Sequence, residues 1–122
     1  MTFDWRECLE LALFLQAERS SFAQFGEVAA LRCAVSRAYQ GAFCCTRNYA
    51  RDRLGFVPVK RAEDHERVRE HLTSHRMTRI AMSLDILRQW RNDCDYYDDG
   101  SDYSTMCSSA ITRAQKIFDE LT

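Results

Sequence analysis

Residues 31–55, LRCAVSRAYQGAFCCTRNYARDRLG, decide the fold. Leu31, Val35, Ala38, Ala42, Cys45 and Tyr49 follow one another at steps of 4, 3, 4, 3 and 4 residues, which is the spacing of one buried helical face. The pattern predicts a long helix from about Glu27 to Leu54, closed by Gly55 in the position just past a helix end. Gly41 sits in mid-helix, where glycine costs about 1 kcal/mol relative to alanine. A close helix crossing at that point accounts for it.

The same periodicity extends outward on both sides. Thr2 is placed to cap a first helix running to about Arg19, with Phe3, Leu9, Leu11, Leu13, Phe14 and Leu15 as a wide apolar face. SSFAQFG breaks it. Beyond Gly55, FVPVK reads as a loop fixed by the only proline, Pro58. A short, polar third helix covers roughly Ala62 to Leu72, and a fourth runs from about Met77 to Tyr96. DDGSD is a turn, and Ser101 or Asp102 caps a last helix to about Leu121. No strand pattern survives, so the expectation is an all-α, up-down bundle of four main helices and a short one, built as one domain over residues 1–122.

Composition agrees with a globular chain. The sequence is 46% apolar and 29% charged, with one proline and four glycines, which leaves little room for linkers. It has neither an apolar run long enough to span a membrane nor a signal-peptide pattern, so the cytoplasm is the expected location. The six cysteines, Cys8, Cys33, Cys44, Cys45, Cys94 and Cys107, form no C-x-x-C pair and read as small buried hydrophobes or incidental thiols. Neither a metal nor a cofactor is expected.

Charge is uneven along the chain. Eleven Lys/Arg face six Asp/Glu between Thr46 and Arg91, whereas two face seven from Asn92 onward. A basic middle suits RNA or phosphate, with Arg47, Arg51 and Arg53 as candidate contacts, although charge alone favours the plainer reading of solvated helix faces.

The fourth helix carries the most informative stripe, Ile80, Leu84, Leu87, Arg91 and Cys94. Arg91 falls on its buried face, where an unpaired guanidinium is costly. Asp95, one turn on, or an acid from another helix would pair it in a structural role; an anionic ligand would pair it in a functional one. Asp93, Asp95, Asp98, Asp99 and Asp102 invite a divalent cation, but their spacing is not that of a calcium loop and matches a helix end followed by a cap. His71 and His75 stand one turn apart beside His65, and read as surface histidines on a polar helix.

Two stretches, CAVSRAYQGAFCCTRNYA and LRQWRNDCDY, together resemble the HEPN superfamily. In the first, Ser36, Arg37, Ala38, Tyr39 and Phe43 match S-R-A-Y-Y-A-x-F, with Gln40 in place of the second tyrosine. In the second, Leu87, Arg88, Arg91, Asp95 and Tyr96 match L-R-x-x-R-x-x-A-D-Y, with Cys94 in the small-residue slot. The resemblance implies a helical bundle that dimerises. In many relatives it also implies a metal-independent ribonuclease whose arginine and histidine, in an R-x4-6-H motif, meet at the dimer cleft. Arg91 then takes the arginine's place and Asn92 that of the polar residue after it. The histidine is missing: Tyr96 stands five residues after Arg91, and no histidine follows.

A histidine, titrating near pH ~6.5, both takes and gives protons at neutral pH, whereas a tyrosine hydroxyl near ~10 is a poor base. The leading expectation is therefore a homodimeric binding or interaction component of a prokaryotic toxin–antitoxin or phage-defence system, with a degenerate ribonuclease motif. Arg37, Tyr39, Asn92, Asp95 and Tyr97 would line its ligand or dimer cleft. A nucleotidyltransferase or another defence-system protein is the implied partner, with Tyr96 and Tyr97 as candidate adenylylation acceptors. The first alternative is a ribonuclease with an altered site, using Arg91 with Tyr96 or a histidine. The second is a structural adaptor in which Arg91 and Asp95 pin the bundle.

Overall fold

A computed structural model describes residues 2–22, 24–98 and 102–122. The chain forms an all-helical bundle of α1 (Arg6–Ala17), α2 (Glu27–Arg53), α3 (Asp64–Ser74), α4 (Thr78–Tyr96) and α5 (Tyr103–Leu121), with a 3-10 turn at Arg19–Phe22 and no strand among the described residues. Among the described residues no helix is long and apolar enough to cross a membrane.

The second helix is the axis of the bundle. α1, α4 and α5 all pack against it, and α3 closes over α4 and the far part of α2. Its interior exceeds the single stripe read from the sequence: Ala30, Ala34, Tyr39, Phe43, Cys44, Thr46 and Ala50 are buried as well as Leu31, Val35, Ala38 and Ala42. Cys45 and Tyr49 are half-buried against the core. Four small side chains, Ala30, Ala34, Ala38 and Ala42, let neighbouring backbones come close. Gly41 is the tightest approach: a Cβ there would stand 3.0 Å from the Trp5 carbonyl oxygen and 3.2 Å from the Cys8 Cβ.

Helix boundaries differ from the sequence expectation in instructive ways. α1 is capped by Asp4, not Thr2; the Asp4 carboxylate accepts from the Arg6 N–H at 3.0 Å. Its buried side is narrow, limited to Cys8, Leu9 and Ala12, while Phe3, Leu11, Leu13 and Phe14 are exposed. α3 begins two residues later than its pattern predicts, because Asp64 turns its carboxylate back onto the preceding loop. α2 ends as expected at Gly55, whose φ of 71° swings the chain back so that Phe56 donates to the Ala50 carbonyl and enters the core. Asp102 caps α5 through Thr105. Ser101, with most of the DDGSD turn, lies outside the described residues.

Four of the six cysteines are buried, Cys45 is half-buried and Cys33 is exposed; all are free thiols. Burial pushes the thiols of Cys44, Cys94 and Cys107 up to about 11.

Replacing Gly41 with alanine gains about 1 kcal/mol of helix propensity but drives a methyl into the backbone of α1. The close contact wins because a carbonyl cannot rotate away as a side-chain tip does. Gly41→Ala is therefore expected to lower the melting temperature, by about 1–2 kcal/mol of stability, in thermal unfolding followed by circular dichroism.

Candidate functional site: a basic cleft with an unpaired arginine

A cleft of about 630 Å³ opens where the polar side of α2 emerges between Trp5, the 58–62 loop, the start of α3 and the end of α4. Along α2 it is lined by Arg37, Gln40, Cys44, Arg47 and Arg51. These are steps of 3, 4, 3 and 4 residues, a single helical face about 21 Å long. The loop adds Lys60 and Arg61, and α4 adds Arg91 and Asp95. Six Lys/Arg side chains thus face two carboxylates, Asp64 and Asp95, and both carboxylates are already engaged.

Asp64 is buried and accepts from the backbone N–H groups of Val59 (3.1 Å) and Lys60 (2.8 Å) and from Arg67 Nη1 (2.6 Å). Burial works to raise its carboxyl, but these hydrogen bonds outweigh it and hold the group below the usual carboxylate range. They fix the loop, in which Lys60 has a φ of 61°, a left-handed conformation that non-glycine residues adopt only when held there.

Three rings form the floor. His65 lies flat on Phe43, with centroids 4.0 Å apart and planes 13° apart, and its Nδ1 is 2.5 Å from the Tyr39 hydroxyl. Burial pushes the Tyr39 phenol up to about 12, against the pull of Arg91 and Arg69. The phenol therefore keeps its proton and donates it to Nδ1, which assigns the neutral ring's own proton to Nε2. Burial, then Arg91 and Arg69, hold His65 below the ordinary histidine value, so it is neutral at pH 7.

The Arg91 guanidinium sits 5.2 Å from the centroid of the same Tyr39 ring. Its Nε is buried without a hydrogen-bond partner, and none of the ion pairs among the described residues includes it. The expected partner, Asp95, instead accepts from Ser36 Oγ at 3.1 Å, and Arg37 donates to that same hydroxyl at 3.3 Å. The Arg91–Asp95 pair that would pin the bundle is not formed.

Of the residues singled out from sequence, Arg37, Tyr39, Arg47, Arg51, Arg91 and Asp95 share this cleft. Arg53 does not line it and lies over the Tyr49 ring instead, at 5.5 Å. Asn92 is half-buried away from it. Tyr96 and Tyr97 are 69% and 60% exposed and line no part of it. Five helical positions put Tyr96 about 140° around α4 from Arg91, so the two cannot act as one pair in a single chain. The Tyr97 carbonyl, with those of Asp93 and Cys94, accepts from Arg32 of α2, a side-chain cap on the end of α4. Among the described residues no group of three or more His, Cys, Asp or Glu converges on a metal position; Asp99 lies outside them.

Sequence reading passed over Trp5, Lys60, Arg61 and the cleft position of His65. Lys60–Arg61 after Pro58 was a visible basic doublet. No local signal links His65 to Tyr39, 26 positions away.

No family model matches the chain, and neither a curated protein nor a solved structure matches it.

Because the Asp64 carboxyl is depressed in the folded state, its stabilisation is complete above the unfolded value of about 3.9 and is lost as pH falls through the folded one. Asp64→Asn is expected to cost about 2 kcal/mol at pH 7 through the weakened charged hydrogen bonds. The deficit relative to wild type should shrink below about pH 4, measured by urea unfolding across pH.

Proposed function

We propose that the chain is a cytoplasmic, homodimeric, HEPN-like RNA-binding component of a prokaryotic toxin–antitoxin or phage-defence system, and that its cleft holds the phosphodiester backbone. The observation that carries this reading is Arg91, a half-buried cation without a carboxylate partner in a cleft where basic groups outnumber acidic ones three to one. An anion supplied from outside satisfies it, and Arg37, Arg47, Arg51, Lys60 and Arg61 extend the same potential along the groove. The resemblance around Arg37–Phe43 and Arg91–Tyr96 supplies the biological setting, including a nucleotidyltransferase or another defence protein as partner.

Fluorescence anisotropy with a labelled single-stranded RNA tests it. Arg91→Ala is expected to weaken binding about tenfold, a loss of about 1.4 kcal/mol. Arg47→Ala and Arg51→Ala should each reduce the slope of log K against log salt by about 0.7, and Arg53→Ala should leave it unchanged. Arg91→Ala should lower stability by no more than about 1 kcal/mol, the loss of its contact with the Tyr39 ring, since it breaks no ion pair among the described residues. A structural adaptor predicts the reverse: lost stability and no change in binding.

One observation favours a second reading, a metal-independent ribonuclease. His65 lines the cleft against the Tyr39 ring that Arg91 covers, which leaves its Nε2–H to donate to a phosphate that Arg91 would hold. In that reaction the RNA 2′-hydroxyl gives its proton to water as its oxygen attacks phosphorus, the P–O5′ bond breaks, and the leaving 5′-oxygen takes a proton from water. Arg91 and the Nε2–H of neutral His65 donate to the non-bridging phosphate oxygens and offset the developing charge. Ribonuclease activity predicts cleavage of total RNA in the presence of EDTA, abolished by His65→Ala and by Arg91→Ala but retained in Tyr96→Phe. Intact RNA after incubation with the wild type leaves the binding reading alone.

A further inference from the structure

The cleft has two unlike walls. At about 100° per residue, Gly41 lies roughly a quarter turn to one side of the α2 face that carries Arg37, Gln40, Cys44, Arg47 and Arg51. Tyr39 lies roughly a quarter turn to the other side. The Tyr39 side holds the polar groups described above, His65 and Arg91. The Gly41 side is where α1 crosses, and the wall there is an aromatic ring, Trp5. The phosphate contacts proposed above leave this indole unused.

Trp5 is held from several directions. Its carbonyl oxygen stands 3.0 Å from where a Gly41 Cβ would be and accepts from the Cys8 N–H at 3.1 Å. The backbone is thus locked at the closest approach of two helices. The side chain packs partly against the core, and Phe3 meets it in a T-shaped contact, with centroids 4.7 Å and planes 72° apart. The indole is nevertheless half-exposed and lines the cleft. The Arg47 guanidinium lies 5.7 Å from its centroid. Arg47 donates to Asn48 Oδ1, its neighbour in sequence, and none of the ion pairs among the described residues includes it.

We propose that Trp5 is a base-stacking subsite: an unpaired nucleobase lies on the indole while the adjoining phosphates follow Arg47 and the cations of the opposite wall. A rigid, half-exposed indole presents a π face on which any base can stack, and a backbone-tracking groove of positive charge beside it is the usual companion of such a platform. Arg47, which shares the ring in the free protein, turns its guanidinium to the neighbouring phosphate when the base arrives. Bases inside a duplex are already stacked and cannot reach the ring, so the cleft selects single strands. The inference rests on the RNA reading of the cleft and narrows it to unpaired RNA.

The test compares three probes on the full chain: an oligouridylate of about ten nucleotides, an RNA duplex of the same length, and inorganic polyphosphate, which has the charge without the bases. The wild type is expected to hold the oligouridylate more tightly than the duplex. Trp5→Ala, folded by circular dichroism, should weaken the oligouridylate about tenfold. It should leave the salt slope and the polyphosphate affinity unchanged, since no charge is lost. Trp5→Phe should keep most of the affinity. The native ring is also read directly. With Trp90, the other tryptophan and not a cleft residue, replaced in Trp90→Phe, oligouridylate should quench Trp5 emission and polyphosphate should leave most of it. Emission unquenched by bound oligouridylate overturns the subsite and leaves the basic cleft standing. So does a duplex held as tightly as the single strand, or a Trp5→Ala variant that loses both polymers equally. A wild type that binds neither polymer overturns the cleft reading, and the subsite with it.

Discussion

Small side chains on one helix set the geometry of the whole molecule. Ala30, Ala34, Ala38, Gly41 and Ala42 allow α1, α4 and α5 to crowd around α2 closely enough to share a single core. A helix enclosed on several sides has only a strip left for polar residues, and on α2 that strip carries Arg37, Arg47 and Arg51. Close packing thus concentrates positive charge along one line. The cleft follows from the way α2 is buried, as much as from the residues that close it.

Much of this was legible in the sequence, because the controlling signals are local. The stripe from Leu31 to Tyr49 named the central helix, Gly55 its end, and the displaced Arg91 marked α4 as unusual. What depends on which helix meets which was not legible. α1 has apolar residues at so many positions that its pattern does not select a face, and packing chose Cys8, Leu9 and Ala12 over Leu11 and Phe14. Thr2 and Asp4 are both capping residues, and only the backbone path decides for Asp4. His65 joins Tyr39 and Phe43 by folding alone. The partner of Asp95 is likewise a tertiary choice: Ser36 takes the carboxylate that helical spacing would have assigned to Arg91.

The consequence for the site is a division of labour among its polar groups. Asp64 and Asp95 are occupied with structure, the first by loop amides and the second by Ser36. Tyr39 stays protonated and engages His65 Nδ1, which leaves the neutral ring with Nε2–H as its donor. Arg51 is paired with Asp52, whereas Arg91 has no carboxylate to answer it among the described residues. Such an arrangement persists because the guanidinium groups keep partial access to water and because one of them shares the face of an aromatic ring.

The loop from Val57 to Arg61 has a further significance. Its left-handed residue, Lys60, is held by the buried Asp64 carboxylate, whose hydrogen bonds are all made within the chain, so the ordering of that segment is completed when the chain folds. An anion of the kind proposed would meet Lys60 and Arg61 already in place and would not have to immobilise them. Its association would then approach a rigid-body encounter steered by the field of the groove, with rates set by diffusion and ionic strength more than by rearrangement of the loop.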